Sequence, residues 1–194
     1  MSDRLLSLLT ELSFERRNVV LASGRESDWF LDCKQAVLTA EGHALVGAAM
    51  LEALDRLATR PAAVAGVELG GCPLASAVAL ISHQRGAPLD AVYVRKSVKD
   101  HGSRRQLEGD GRLTPGTRIA VLEDVVTTGG STLAAVEKLR ARELDVVGVI
   151  ALVDRGEGGR EALAAADLPL VALYGRQDFM QDTAQDIPQD TAED

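Results

Sequence analysis

Cysteine is scarce in this chain, and long apolar runs are missing. Only Cys33 and Cys72 are present, with no CxxC pair and no Cys/His cluster. Neither a disulfide framework nor a structural zinc site is supported, and each cysteine reads as a small buried residue. No apolar stretch of about eighteen residues is available to cross a bilayer. The opening MSDRLLSLLTELSFERR sets acids among its leucines, where a secretory signal would have a basic start and a small-residue cleavage site. The chain is expected to work in the cytoplasm, away from membranes. Also absent are the GxGxxG of a dinucleotide site and the lysine-bearing phosphate loop of nucleoside-triphosphate hydrolases.

The formal charge of −8 argues against a general nucleic-acid binder, so no nucleic-acid partner is expected. That charge is unevenly spread. From Gln177 onward stand Asp178, Asp182, Asp186, Asp190, Glu193 and Asp194 with no base among them, which leaves the rest of the chain nearly neutral. Residues 177–194 read as a solvated acidic tail. The remaining 1–176 read as one domain, because 194 residues with 46% apolar content bury one substantial core and not two.

Leu5, Leu8, Leu9 and Leu12 recur at helical spacing behind Ser2 and Asp3, so the chain is expected to start with a helix. Val19 to Leu21 and Trp29 to Leu31 flank the polar turn 23–27 and suggest a hairpin outside the main sheet. A second helix is expected over about 40–58, with Leu45, Ala49, Leu54 and Leu57 on its buried side. From Ala63 short apolar runs alternate with helices: strands at 63–67, 91–94, 119–122, 146–153 and 170–173, helices at 74–84, 132–142 and 159–166. Continuously apolar strands alternating with helices indicate a parallel sheet covered on both faces, an α/β fold. The mostly polar segment from Arg95 to Gly116 exceeds an ordinary connection and reads as a functional lid.

The chemistry concentrates in Ile119-Ala-Val-Leu-Glu123-Asp124-Val125-Val126-Thr127-Thr128-Gly129-Gly130-Ser131-Thr132. It reads as a strand, an acidic pair, a Thr/Gly/Ser loop and a helix. Such a loop offers a phosphate unpaired backbone N–H groups, hydroxyl donors and the positive end of the helix dipole. Two carboxylates beside an anion cradle would repel a bare anion, so they need a second partner such as sugar hydroxyls or a cation. A ribose phosphate meets both requirements. Tyr93 to Arg105 adds Arg95, Lys96, Lys99, Arg104, Arg105 and His101 against the single acid Asp100, a local attractor for polyphosphate. His43 and His83 are assigned no chemistry, and Trp29 and Phe30 read as packing residues.

EDVVTTGGST resembles the phosphoribosyl diphosphate (PRPP) motif of type I phosphoribosyltransferases, and RKSVKDHG (Arg95 to Gly102) resembles the catalytic loop of the orotate phosphoribosyltransferases. LASGRESDWFLD (Leu21 to Asp32) is similar to that family's N-terminal hairpin, and Val153-Asp154-Arg155 to its base-binding segment. The resemblance implies the type I fold: a parallel sheet core at about 41–176, flanked by helices, with a small hood largely at 1–40. It implies transfer of phosphoribose from PRPP to orotate with Mg²⁺ carried mainly on PRPP and no metal ligands from the protein. Glu123 and Asp124 would hold the ribose hydroxyls, and 125–131 (Val125, Val126, Thr127, Thr128, Gly129, Gly130, Ser131) would surround the 5-phosphate. Arg95, Lys96, Lys99 and His101 would bind the diphosphate. Lys99 and Asp124 would be catalytic, while Thr127 and Arg155 would face orotate. A homodimer with the basic loop acting across subunits is also implied. Two departures stand out: Ala22 and Gly70 occupy positions where many members carry lysine. The Gly70-Gly71 pair could contact diphosphate through its backbone or simply make a tight turn. A purine or other base as acceptor, and a non-catalytic PRPP sensor, remain the alternatives.

Overall fold

The computed structural model describes residues 2–20, 26–96 and 106–180. Helix α1 (Ser2–Ser13) buries Leu5, Leu8 and Leu9, while Leu12 in its last turn reaches solvent. Four two-residue strands follow: β1 (Phe14–Glu15), β2 (Val19–Val20), β3 (Glu26–Ser27) and β4 (Phe30–Leu31). β1 pairs with β4 and β2 with β3, both antiparallel. The expected hairpin is therefore two nested ladders outside the main sheet, with Trp29 in the connection between β3 and β4.

The short helix α2 (Lys34–Val37) leads into α3 (Ala40–Ala53), and a 3₁₀ turn over Leu54–Arg56 closes it earlier than expected. Thr39 caps α3: its hydroxyl accepts from the Gly42 N–H at 3.0 Å and donates to the Ala36 carbonyl at 2.8 Å. The buried face of α3 runs through Gly42, Val46, Met50 and Ala53, one position off the Leu45/Ala49 stripe expected from spacing. The cause is a close approach to α4 (Gly71–Gln84), for a Cβ at Gly47 would press on the Ala77 carbonyl. Helix–helix contact at that distance selects the small face.

The strands β5 (Ala63–Val67), β6 (Asp90–Val94), β7 (Leu107–Glu108), β8 (Arg118–Val126), β9 (Asp145–Asp154) and β10 (Leu170–Gly175) form one sheet in the order β10-β9-β8-β5-β6-β7. The first five in that order run parallel, and β7 returns antiparallel on the edge beside β6. Along β5, Val64 packs toward α3, α4 and the hood, whereas Ala63 and Ala65 pack toward α5 (Gly130–Ala141) and α6 (Gly159–Ala164). Burial on both faces is why the core strands read as unbroken apolar runs. β8 is longer than its apolar stretch suggests, so Glu123 to Val126 lie within the strand.

Helix α7 (Arg176–Met180) corrects the tail boundary expected at 177. Phe179 is fully buried, stacked on Phe14 at 5.7 Å and on Trp29 at 6.1 Å, with Tyr174 edge-on at 6.4 Å. The acids around Phe179 mask its ring in the sequence, but the hood needs that ring to fill the space between α1 and β10. Residues 181–194 lie outside the described residues. Among the described residues no helix is long and apolar enough to cross a membrane.

Removing a buried ring from this cluster leaves a cavity, so Phe179→Ala is expected to lose about 3–5 kcal/mol in urea unfolding. Truncation after Met180 should leave the unfolding midpoint unchanged. Equal loss in both variants would place stabilising contacts beyond Met180.

Candidate active site

Parallel strands bring their carboxyl ends to one edge of the sheet, and β5 and β8 are neighbours whose chains depart in opposite directions along it. Crevices form outside such a switch point. The loop after β5 (68–70) and the loop after β8 (127–129) therefore face each other, with Arg95 at the end of β6 and Arg155 at the end of β9 on either side.

Glu123 is 5% exposed, and its Oε2 accepts from the Thr132 hydroxyl at 3.3 Å. Burial first, and the neighbouring Asp124 carboxylate second, push its pKa up to about 8; Thr132 and Lys96 act the other way. Asp124 is half-buried and accepts from the Val125 N–H at 2.9 Å. Its carboxylate lies directly over Gly70, where any Cβ would overlap it. That contact gives Gly70 a physical reason: a lysine there would require Asp124 to move.

Beyond the pair, Val126 is buried and its carbonyl is taken by the Arg155 N–H at 3.0 Å, so the open part of the loop starts at Thr127. Gly129 caps α5 with φ of 80°, a conformation that favours glycine, and no side chain closes the helix start. Thr128, Gly130 and Ser131 are exposed there. The first-turn N–H groups of α5 thus face the crevice as an anion cradle.

The basic segment is described only at its stems. Arg95 pairs with Glu108 at 3.3 Å, and its Nε is buried with no hydrogen-bond partner among the described residues. The Lys96 N–H donates to Glu68 Oε2 at 2.8 Å, joining this stem to the loop after β5. Lys99 and His101 lie outside the described residues, as does Ala22.

Arg155, 5% exposed, is tied into the hood. It bonds Glu157 Oε1 at 2.8 Å, the Ser27 hydroxyl at 2.8 Å and the Trp29 carbonyl at 3.4 Å, and its guanidinium sits 3.9 Å over the Trp29 ring. The structure therefore brings together Glu123, Asp124, Thr127 to Ser131 and the stem residue Lys96. Arg155 stands at the same sheet edge under the hood. Sequence reasoning missed Lys34, which starts α2, pairs with Asp32 and feels the charge of Asp124. A lone lysine after a hairpin carries no motif, and only the fold of the hood brings it near the pair.

A family model described as the phosphoribosyl transferase domain matches residues 37–167. The chain belongs to the phosphoribosyltransferase family. An orotate phosphoribosyltransferase of Sorangium cellulosum (strain So ce56) is 69% identical over 180 residues, 93% of each protein. Among solved structures, the orotate phosphoribosyltransferase of Mycobacterium tuberculosis in complex with Fe(III) dicitrate matches with a TM-score of 0.78 at 37% identity, covering 92% of this chain and 98% of that one. The same enzyme in complex with PRPP matches with a TM-score of 0.74 at 35% identity, covering 92% and 98%. This phosphoribosyltransferase therefore has the type I fold expected from its motifs.

Because the folded-state pKa of Glu123 lies above its ordinary value of 4.5, the folded protein keeps a proton that the unfolded chain releases. Stability is then fully present below 4.5 and falls as pH rises toward about 8. In Glu123→Gln the urea midpoint should fall less over that window; parallel curves for the two proteins would refute the shift. Gly70→Ala, which displaces Asp124, should lower kcat/KM for the phosphoribosyl donor by about tenfold or more while the chain stays folded. Wild-type kinetics in that variant would show that the carboxylate position is not critical.

Proposed function

We infer that this phosphoribosyltransferase transfers the phosphoribosyl group from PRPP to orotate, giving orotidine 5′-phosphate and diphosphate in pyrimidine synthesis. The observation that carries the reaction type is the half-buried Asp124 beside Glu123 at the end of β8, one short loop before the start of α5, which no side chain caps. Sugar acceptors and a phosphate cradle stand in one crevice. The choice of orotate rests on the named relatives and on the RKSVKDHG segment.

In this reading Glu123 and Asp124 accept from the ribose 2- and 3-hydroxyls, and the backbone and hydroxyls of Thr127 to Ser131 hold the 5-phosphate, with Val125 and Val126 as the strand end beneath it. Glu123, holding its proton near neutral pH, lessens the repulsion toward an incoming polyphosphate. Arg95, Lys96, Lys99 and His101 gather on the diphosphate, with Lys99 the principal catalytic cation. As the C1–O bond breaks, the sugar gains positive character that Asp124 favours, and the leaving group gains charge that the basic loop stabilises more than in the ground state. Arg155, already holding one carboxylate in Glu157, has the fork that suits orotate's own carboxylate, and Thr127 completes the base site.

Among the described residues no group of three or more His, Cys, Asp or Glu could enclose a metal. Mg²⁺ would arrive on the donor's oxygens, since it commonly keeps waters and substrate phosphates as ligands. Bound on PRPP, Mg²⁺ would neutralise part of the diphosphate charge.

The dimer has support in one surface. Leu69 in the loop after β5 and Leu80 on α4 are 63% and 54% exposed, and exposed Tyr93 hydrogen-bonds Ser76 on the same helix. Exposed apolar side chains near the stem at Arg95 suit a second copy whose basic loop reaches across. We place the enzyme in the cytoplasm, in keeping with its composition.

The test is orotate consumption with PRPP and Mg²⁺, followed by ultraviolet absorbance beside a panel of purine bases. Orotate alone should turn over, and Lys99→Ala should lower kcat by about 100-fold or more. Turnover of a purine instead would keep the phosphate cradle and overturn the base assignment. Binding of PRPP without turnover of any base would favour a sensor.

A further inference from the structure

Arg155 is held twice over, its backbone by the sheet and its side chain by the hood. Its N–H donates to the Val126 carbonyl at 3.0 Å. Around it, Asp154 Oδ1 accepts from the Gly156 N–H at 2.9 Å and Asp154 Oδ2 pairs with Arg160 at 2.9 Å, so the turn that carries Arg155 is pinned to β9 and α6. A fixed backbone still leaves a long side chain several rotamers. Ser27 and Trp29 choose among them. The Arg155 guanidinium lies 3.9 Å from the centre of the Trp29 ring, over its face. Nη2 donates to the Ser27 hydroxyl at 2.8 Å and to the Trp29 carbonyl at 3.4 Å, and the Ser27 hydroxyl donates to that same carbonyl at 3.0 Å. Trp29 is 1% exposed, and its ring packs against Phe14 and Phe179, each at 6.1 Å. A ring held in this way fixes the plane of the guanidinium. The bonds of Nη2, with Nε on Glu157 at 2.8 Å, fix its rotation within that plane. Indole is also the ring that attracts a guanidinium most strongly, which gives a tryptophan a reason to stand here.

We propose that Trp29, braced by Ser27, is a positioning residue for the base: its ring face and carbonyl set the plane and rotation of the Arg155 guanidinium, and so the direction from which an acceptor's carboxylate meets the fork. Trp29 acts through Arg155 and does not touch the reacting atoms. The hood then contributes to base selection as well as to packing, because a planar acceptor with a carboxylate in its own ring plane gains most from a guanidinium whose orientation is already set. The inference rests on the reading that Arg155 faces orotate.

The test uses the full-length chain with Trp29→Leu, which keeps an apolar side chain without a ring face, Trp29→Phe, which keeps a weaker face, and Ser27→Ala. Loss of the face should raise KM for orotate about tenfold in Trp29→Leu, while KM for PRPP changes less than about twofold. Trp29→Phe should come back to within about threefold of the parent's KM for orotate. Ser27→Ala, which removes one acceptor of Nη2, should raise that KM about fivefold. A parent-like KM for orotate in Trp29→Leu overturns the proposal. So does a parallel rise of both KM values with a lowered thermal midpoint, which is what a merely structural role would give. Trp29 is the one tryptophan of the chain, so its emission reads the contact without turnover. Arg155→Gln should shift that emission in the folded protein, and an unchanged spectrum overturns the proposal. Should Trp29→Leu fail to fold, Ser27→Ala and the emission carry the test: a rise in KM for orotate alone supports the proposal, and parent-like kinetics in Ser27→Ala overturn it. Arg155→Gln also separates the two readings. A parent-like KM for orotate there sinks the base site itself, while a raised KM there beside an unaffected Trp29→Leu sinks only the positioning role.

Discussion

Placing two adjacent carboxylates at a buried strand end is unfavourable unless something offsets it, and the crevice is arranged around that constraint. Glu123 offsets its burial by holding a proton and a hydroxyl donor; Asp124 leans out over a glycine and takes a backbone N–H. Each solution binds a different part of the fold. The Thr132 hydroxyl ties Glu123 to the first turn of α5, and the Asp124 carboxylate occupies the space that a side chain at Gly70 would take. An enzyme that must stabilise a cationic sugar beside a polyanion gains from groups already paired in this way, because little has to reorganise as charge develops.

The core strands were legible because both faces of the sheet are covered, which leaves apolar residues at every position along them. The cradle was legible for a chemical reason: an acidic pair, then hydroxyls and glycines before a helix, is a local arrangement within a few residues. The buried face of α3 was not. Its sequence AEGHALVGAAMLEA is apolar on most sides, and the choice fell to the approach of Gly47 to Ala77, which spacing cannot reveal. The hood's pairing was equally hidden, since two-residue strands leave no alternation to read.

The contacts that assemble the site join residues far apart in the chain. Arg155 meets Ser27 and Trp29, Gly70 meets Asp124, and Lys138 meets Arg95. The motifs carried no sign of these pairings. Phe179 shows the same limit from the packing side: its neighbours in sequence are polar, and its neighbours in space are Phe14, Trp29 and Tyr174.

The short return strand β7 has a consequence for how the molecule keeps apart from others. Beside β6 it covers only Tyr93 and Val94, and Gly109 then passes so close to the Ala91 carbonyl that a side chain there would collide with it. Arg112 lies 3.9 Å from Asp90, at the start of the same strand. β7 and the turn after it thus shield the part of the β6 edge that would otherwise offer free backbone groups to a passing strand. Without β7 the outer edge of β6 at Tyr93 and Val94 would be a template for strand addition.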